Sequence, residues 1–217
     1  MNIRNSLACL FVIGFFSIQV DFAIALDDES IYGTQSVVFQ AGQSGGALHS
    51  CTMIYRAVQA DYAYKNGDPV MINGNISFRQ FDGKNMMLTL KIGVMDIGIP
   101  NAKFTRPYFA YLQTPNATTA KSTIKTGDGD EGYRLIVIDI NDTTNKLLVE
   151  MLASGKVTIG FNRKKDGLDV IVPIDLKVFD AEYLSSGKVI RKRSDETITQ
   201  FLLCFKELLE KGTSKSP

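Results

Sequence analysis

A chain of 217 residues carrying 24 Lys and Arg against 23 Asp and Glu has almost no net charge. That argues against nucleic-acid binding as a main role, because a phosphate backbone selects a markedly basic surface. Tryptophan is absent, which weakens carbohydrate recognition by stacking, although eight tyrosines remain.

In chain order the first element is a leader. Arg4 supplies a short positive start, and "LACLFVIGFFSIQV" (7–20) is an apolar run too short and wrongly flanked for a membrane span. "AIA" (23–25) is a small-x-small cleavage site ahead of the acidic "LDDES". The expectation is a signal peptide over residues 1–25 and a β-rich domain over 26–217. That chain has no transmembrane segment and is periplasmic or secreted, and the compact leader leans towards a bacterial source. Cys9 leaves with the leader, so Cys51 and Cys204 remain. In an oxidising compartment they are expected to form one structural disulfide, since the single histidine, His49, leaves no metal-ligand set and there is no C-x-x-C. Closing so long a loop is worth roughly 5 kcal/mol in the chain-entropy model.

Strand signals dominate the middle. "SVVF" (36–39) reads as a short strand, "AGQSGGA" as a glycine-rich loop and "LHSCTMIYRA" (48–57) as a strand. "NGDPVMINGN" reads as turn chemistry around a short apolar strand. "ISFRQFDGKNMMLTLKIGVMDI" predicts a hairpin turning at Asp82-Gly83, with Ile76 and Phe78 on one face of the first arm. In its second arm Met86, Leu88, Leu90, Ile92 and Val94 alternate with polar or small residues, which predicts one buried face. "RPYFAYLQT" (106–114) and "YRLIVIDI" (133–140) are further strands, with residues 115–132 expected as a long exposed loop. "KVTIGFN" (156–162), the turn "RKKDG" and "LDVIVPIDLKVF" (168–179) predict a second hairpin, with Pro173 on an edge or at a bulge because it cannot donate to a ladder.

Two helices are expected. "NDTTNKLLVEMLASG" has Asn141, Asp142 or Thr143 as a cap and Gly155 as its stop. "SDETITQFLLCFKELLEKG" has Ser194 as cap and Gly212 as stop, and carries Ile198, Phe201, Leu202, Phe205, Leu208 and Leu209 as an apolar stripe with Cys204 on its border. The fold class that follows is mainly β, an antiparallel sandwich or curved sheet, with a C-terminal helix pinned by the disulfide.

Three motifs invite chemistry. "GQSGG" (42–46) satisfies the G-x-S-x-G pattern, but His49 stands only five residues after Ser44, roughly 17 Å along a strand, which no known triad order provides. "TGDGDEGY" with Asp139 can be aligned to a calcium loop through Asp128 and Asp130, but Gly132 and Tyr133 then fill positions that need a ligand and a glycine. Two basic clusters, Arg163, Lys164 and Lys165, and Arg191, Lys192 and Arg193, would form a positive patch for an anionic partner if the fold brought them to one end. The sequons at Asn75, Asn116 and Asn141 matter only in a eukaryotic secretory pathway.

The C-terminal third carries "LLVEMLASGK", the pair "VTIGFNRKKDGLDVIVPIDLKVF" with Pro173 and Leu176 in a V-P-x-x-L setting, and "FLLC". This pattern resembles the tail of the invasion-associated locus B family of bacterial periplasmic proteins. The resemblance implies a β-rich, exported protein linked to the envelope and to host contact. It departs in having one disulfide and in the inserted "KVIRKRS", and it does not extend over residues 26–140. The functional expectation is an exported, non-enzymatic envelope protein that binds a protein or an anionic envelope component, without cofactor or metal. The alternatives are a serine hydrolase using Ser44 and a calcium-dependent adhesion module.

Overall fold

A computed structural model describes residues 31–81 and 85–213. The expected signal peptide (1–25) and the expected turn at Asp82-Gly83 lie outside these residues.

The chain builds a six-stranded antiparallel sheet from β1 (Gln35–Ser44), β2 (Ala47–Ala60), β3 (Pro69–Phe81), β4 (Asn85–Asp96), β7 (Thr123–Asp128) and β8 (Arg134–Ile138). Their order is β1-β2-β3-β4-β8-β7. A four-stranded sheet, ordered β10-β9-β5-β6, joins β5 (Phe109–Thr114), β6 (Ala117–Thr118), β9 (Lys156–Asn162) and β10 (Val170–Asp175). β11 (Val178–Tyr183) and β12 (Val189–Arg193) form a separate ribbon. The mainly β expectation holds, as do both helices, α1 (Asp142–Ser154) and α2 (Glu196–Thr213).

The core comes from period-two alternation. Met53 and Tyr55 of β2, Ile72, Ile76 and Phe78 of β3, and Leu88, Leu90, Ile92 and Val94 of β4 are all buried on one face of the large sheet. Val157, Ile159 and Phe161 of β9 and Val170, Val172 and Ile174 of β10 face them from the small sheet. Tyr55 lies opposite Gly74 and donates through its hydroxyl to Lys91 O at 2.8 Å. Burial of its ring pushes the phenol well above its ordinary pKa. A side chain at Gly74 would stand 1.8 Å from that carbonyl, which is why this strand interior carries a glycine.

α1 begins with a capping box: the Asn141 side chain accepts from Thr143 N and Thr144 N, and the Thr144 side chain accepts from Asn141 N. Gly155, at φ 68, ends it. α2 packs on β1 and β2 through Ile198, Phe201 and Leu208, with Phe205 edge-on to Phe78 at 4.5 Å. The disulfide joins Cys51 of β2 to Cys204 of this helix, with the two Cα atoms 5.8 Å apart.

Several expected elements differ. "AGQSGGA" is not a loop: β1 runs through Ser44, and the turn is the pair Gly45-Gly46, both at positive φ, as a two-residue hairpin turn requires. β3 is one strand of 13 residues rather than a short strand within turn chemistry. Residues 115–132 contain β6 and β7, and β7 is the polar edge of the large sheet, where water satisfies the outer side of the strand. "LDVIVPIDLKVF" divides at Leu176-Lys177, so that β10 stays in the small sheet and β11 leaves it. Pro173 does lie on an edge strand. α2 starts at Glu196, whose backbone N–H is accepted by Ser194 Oγ at 3.1 Å, and it runs through Gly212. In the apolar stripe Leu202 and Leu209 are exposed, not buried.

Candidate functional site

"IRKR" is a strand, and strand alternation splits the basic cluster. Lys192 turns to β11, where Glu182 at 3.2 Å and Asp180 at 3.4 Å raise its pKa. Arg191 and Arg193 share the other face. Arg191 donates from Nε to Gly33 O and from Nη2 to Tyr32 O, both at 3.1 Å, holding the chain ahead of β1 beneath β12. Arg193 Nη2 lies 2.7 Å from Asp175 Oδ2, at the end of β10.

Both arginines border a groove of about 880 Å³. Strand backbone at Val157 and Ile174 and the exposed Pro173 ring contribute to its lining, and Lys156 stands beside them. The facing wall is the last turn of α1, with Glu150 and Ser154, and the turn after β5. The Thr114 hydroxyl donates to Glu150 Oε2 at 2.7 Å and Asn116 N donates to it at 3.3 Å, which holds this carboxyl below its ordinary pKa. The groove therefore has guanidinium groups on one side. On the other it has a fixed carboxylate and the carbonyl end of a helix. The arrangement sets cationic groups at β12 and hydrogen-bond acceptors at α1 across one groove.

The second cluster lies elsewhere. Arg163 follows β9 at the end of β10 opposite Asp175, about 17 Å away at roughly 3.4 Å per residue. The two clusters thus stand at opposite ends of one strand and do not merge into one patch. Arg163 is a strut: Nη2 is 2.7 Å from Asp96 Oδ1 and 2.9 Å from the fully buried Asp61 Oδ2, an ion pair without a directed hydrogen bond at the latter. Burial pushes the Asp96 carboxyl up, but Lys65 and Arg163 outweigh it and hold the group below its ordinary value. Lys164 and Lys165 are exposed, with Lys164 5.7 Å from the Tyr64 ring centroid.

Ser44 ends β1, opposite Ala47. His49 Nδ1 sits 3.4 Å from Gly42 O and Nε2 3.5 Å from Arg79 Nη2, so its recorded partners do not include Ser44. Asp128 pairs with Arg106 and Arg134, and Asp130 with Lys91, so cations take the carboxylates of the calcium alignment. A shallower cleft of about 320 Å³ lies on the face of the large sheet turned away from the core. On its floor Thr52 Oγ1 and Ser77 Oγ are 2.8 Å apart.

Of the charged residues that line the groove, the sequence singled out Arg191 and Arg193 and not Glu150, Lys156 or Asp175. Period-two alternation in "KVIRKR" was the usable signal, since a strand there separates Arg191 and Arg193 from Lys192. Comparison of the chain with protein-family models, curated proteins and solved structures finds no match.

Proposed function

We propose that this is an exported, non-enzymatic binding protein of the cell envelope, and that the β12–α1 groove holds an extended acidic segment of a partner protein. The observation that carries the reading is that Arg191 and Arg193 on one side and Glu150 on the other line the same groove. A purely anionic polymer meets repulsion at Glu150, whereas a polypeptide supplies acids and N–H donors together. A mixed lining of apolar surface and a few convergent polar groups is the ordinary composition of a binding site. Export is supported by the leader-like residues 1–25, by the Cys51–Cys204 disulfide and by the resemblance to invasion-associated locus B proteins.

The test is affinity capture from envelope extract with three baits: wild type, Lys156→Glu/Arg193→Glu, and Lys192→Glu. A protein retained by wild type and by Lys192→Glu, but lost by the double variant, supports the reading. Lys192 points away from the groove, so equal loss from all three baits, or equal retention, overturns it.

A further inference from the structure

The end of the molecule opposite the groove is built by three connections: residues 61–68 between β2 and β3, 97–108 between β4 and β5, and 163–169 between β9 and β10. They form one unit. Tyr64 Oη donates to Leu168 O at 2.6 Å and accepts from Arg163 N at 3.3 Å. Ile97 N donates to Pro69 O at 3.0 Å, Lys65 pairs with Asp96 at 2.7 Å, and Tyr108 N donates to Asn162 O at 2.8 Å. The Arg163 strut ties the 163–169 and 61–68 connections to each other at Asp61 and to the end of β4 at Asp96.

Each connection lifts large apolar side chains into water. Tyr62 is 79% exposed, Leu168 71%, Ile99 51% and Tyr108 46%. A residue left on a turn by accident is common, but four on three mutually pinned loops at one end are an apolar cap. Around them stand Lys103, Lys164 and Lys165, all exposed, and among the described residues no carboxylate pairs with any of the three. Asp68 and Asp166 are exposed on the same loops, and Asp169 is engaged by Tyr111 and Asn162.

We infer that this end is a docking surface for an anionic lipid bilayer. The apolar side chains are carried by three separate connections and line none of the grooves given above. Protruding groups need a matching pocket in a protein partner, whereas a bilayer accepts them without one. Tyrosine partitions to the headgroup level, leucine and isoleucine reach the acyl boundary, and lysines meet anionic headgroups while their stems follow the apolar surface. The pinned base means that insertion orders little that is not already ordered. The inference does not depend on the groove, which lies at the other end of β10.

The experiment is co-sedimentation of the purified protein with phosphatidylcholine vesicles, with and without phosphatidylglycerol. Wild type is expected to bind the anionic vesicles and to bind the neutral ones only weakly. Tyr62→Ser/Leu168→Ser should lower partitioning at least about tenfold, the loss that removing two buried apolar side chains implies. Lys164→Glu/Lys165→Glu should abolish the preference for anionic vesicles. Arg193→Glu, in the groove, should leave partitioning unchanged. The substituted loop residues are exposed, so melting temperature should not move and lost binding is not lost folding. Failure of wild type to sediment with either vesicle, or loop variants that bind like wild type, would overturn the inference. Loss of a captured protein from the loop variants without vesicle binding would also overturn it, in favour of a protein partner at this end.

Discussion

Gly74 and Asp96 show how single residues hold this fold. Adding one carbon at Gly74 meets Lys91 O at 1.8 Å and Tyr55 Oη at 2.8 Å, both inside the sheet. Gly74→Ala should therefore cost about 1–3 kcal/mol, read as a lower urea midpoint, because backbone cannot yield as a flexible side chain does. Asp96 carries a depressed pKa in the folded state. Its contribution is present above its unfolded value of about 3.9 and is lost as pH falls through the lower folded value. Melting temperature should drop over that acidic window, and Asp96→Asn should lower the plateau at neutral pH while flattening the acid limb.

At the scale of elements, α2 is held by its apolar face and by one covalent bond. Cys51 and Cys204 are separated by 153 residues, so the bond closes nearly the whole described chain. The Cys51→Ser/Cys204→Ser variant should lose about 2–5 kcal/mol in urea unfolding, and reductant should bring wild type to the same midpoint. A wild-type midpoint indifferent to reductant would show that Phe201, Leu208 and the Phe78–Phe205 contact hold the helix unaided. The helices and the alternating strands were legible in the sequence, since a capping Asn141, a stopping Gly155 and the Leu88–Val94 alternation are local signals. β7 was not. "TIKTGD" has a polar composition because it is an edge, and only its pairing with β8 makes it a strand.

The whole molecule sets two basic regions at opposite ends of β10, with different fates for their charges. At one end Arg191 and Arg193 face a groove; at the other Arg163 is spent on Asp61 and Asp96 while Lys164 and Lys165 remain exposed. Sites this far apart act independently, so Arg193→Glu should lower partner capture and not vesicle partitioning, and Lys164→Glu/Lys165→Glu should change vesicle preference and not partner capture. Arg163→Met belongs with stability instead. Removing one partner of a buried ion pair costs about 3–5 kcal/mol, which an unfolding curve will register as a large loss of midpoint.

The sequence by itself determined the strand faces of the alternating strands, both helices and the pairing of Cys51 with Cys204. Each of these depends on residues close together in the chain or on composition. It could not rank the six basic residues of the two clusters. Whether Arg163 binds a partner or braces the fold depends on Asp61 and Asp96, which lie 67 or more positions away and meet it only when the β2–β3 turn, β4 and β9 converge. The groove has the same origin, since its walls come from α1 and β12 and become a site only when tertiary packing sets them face to face.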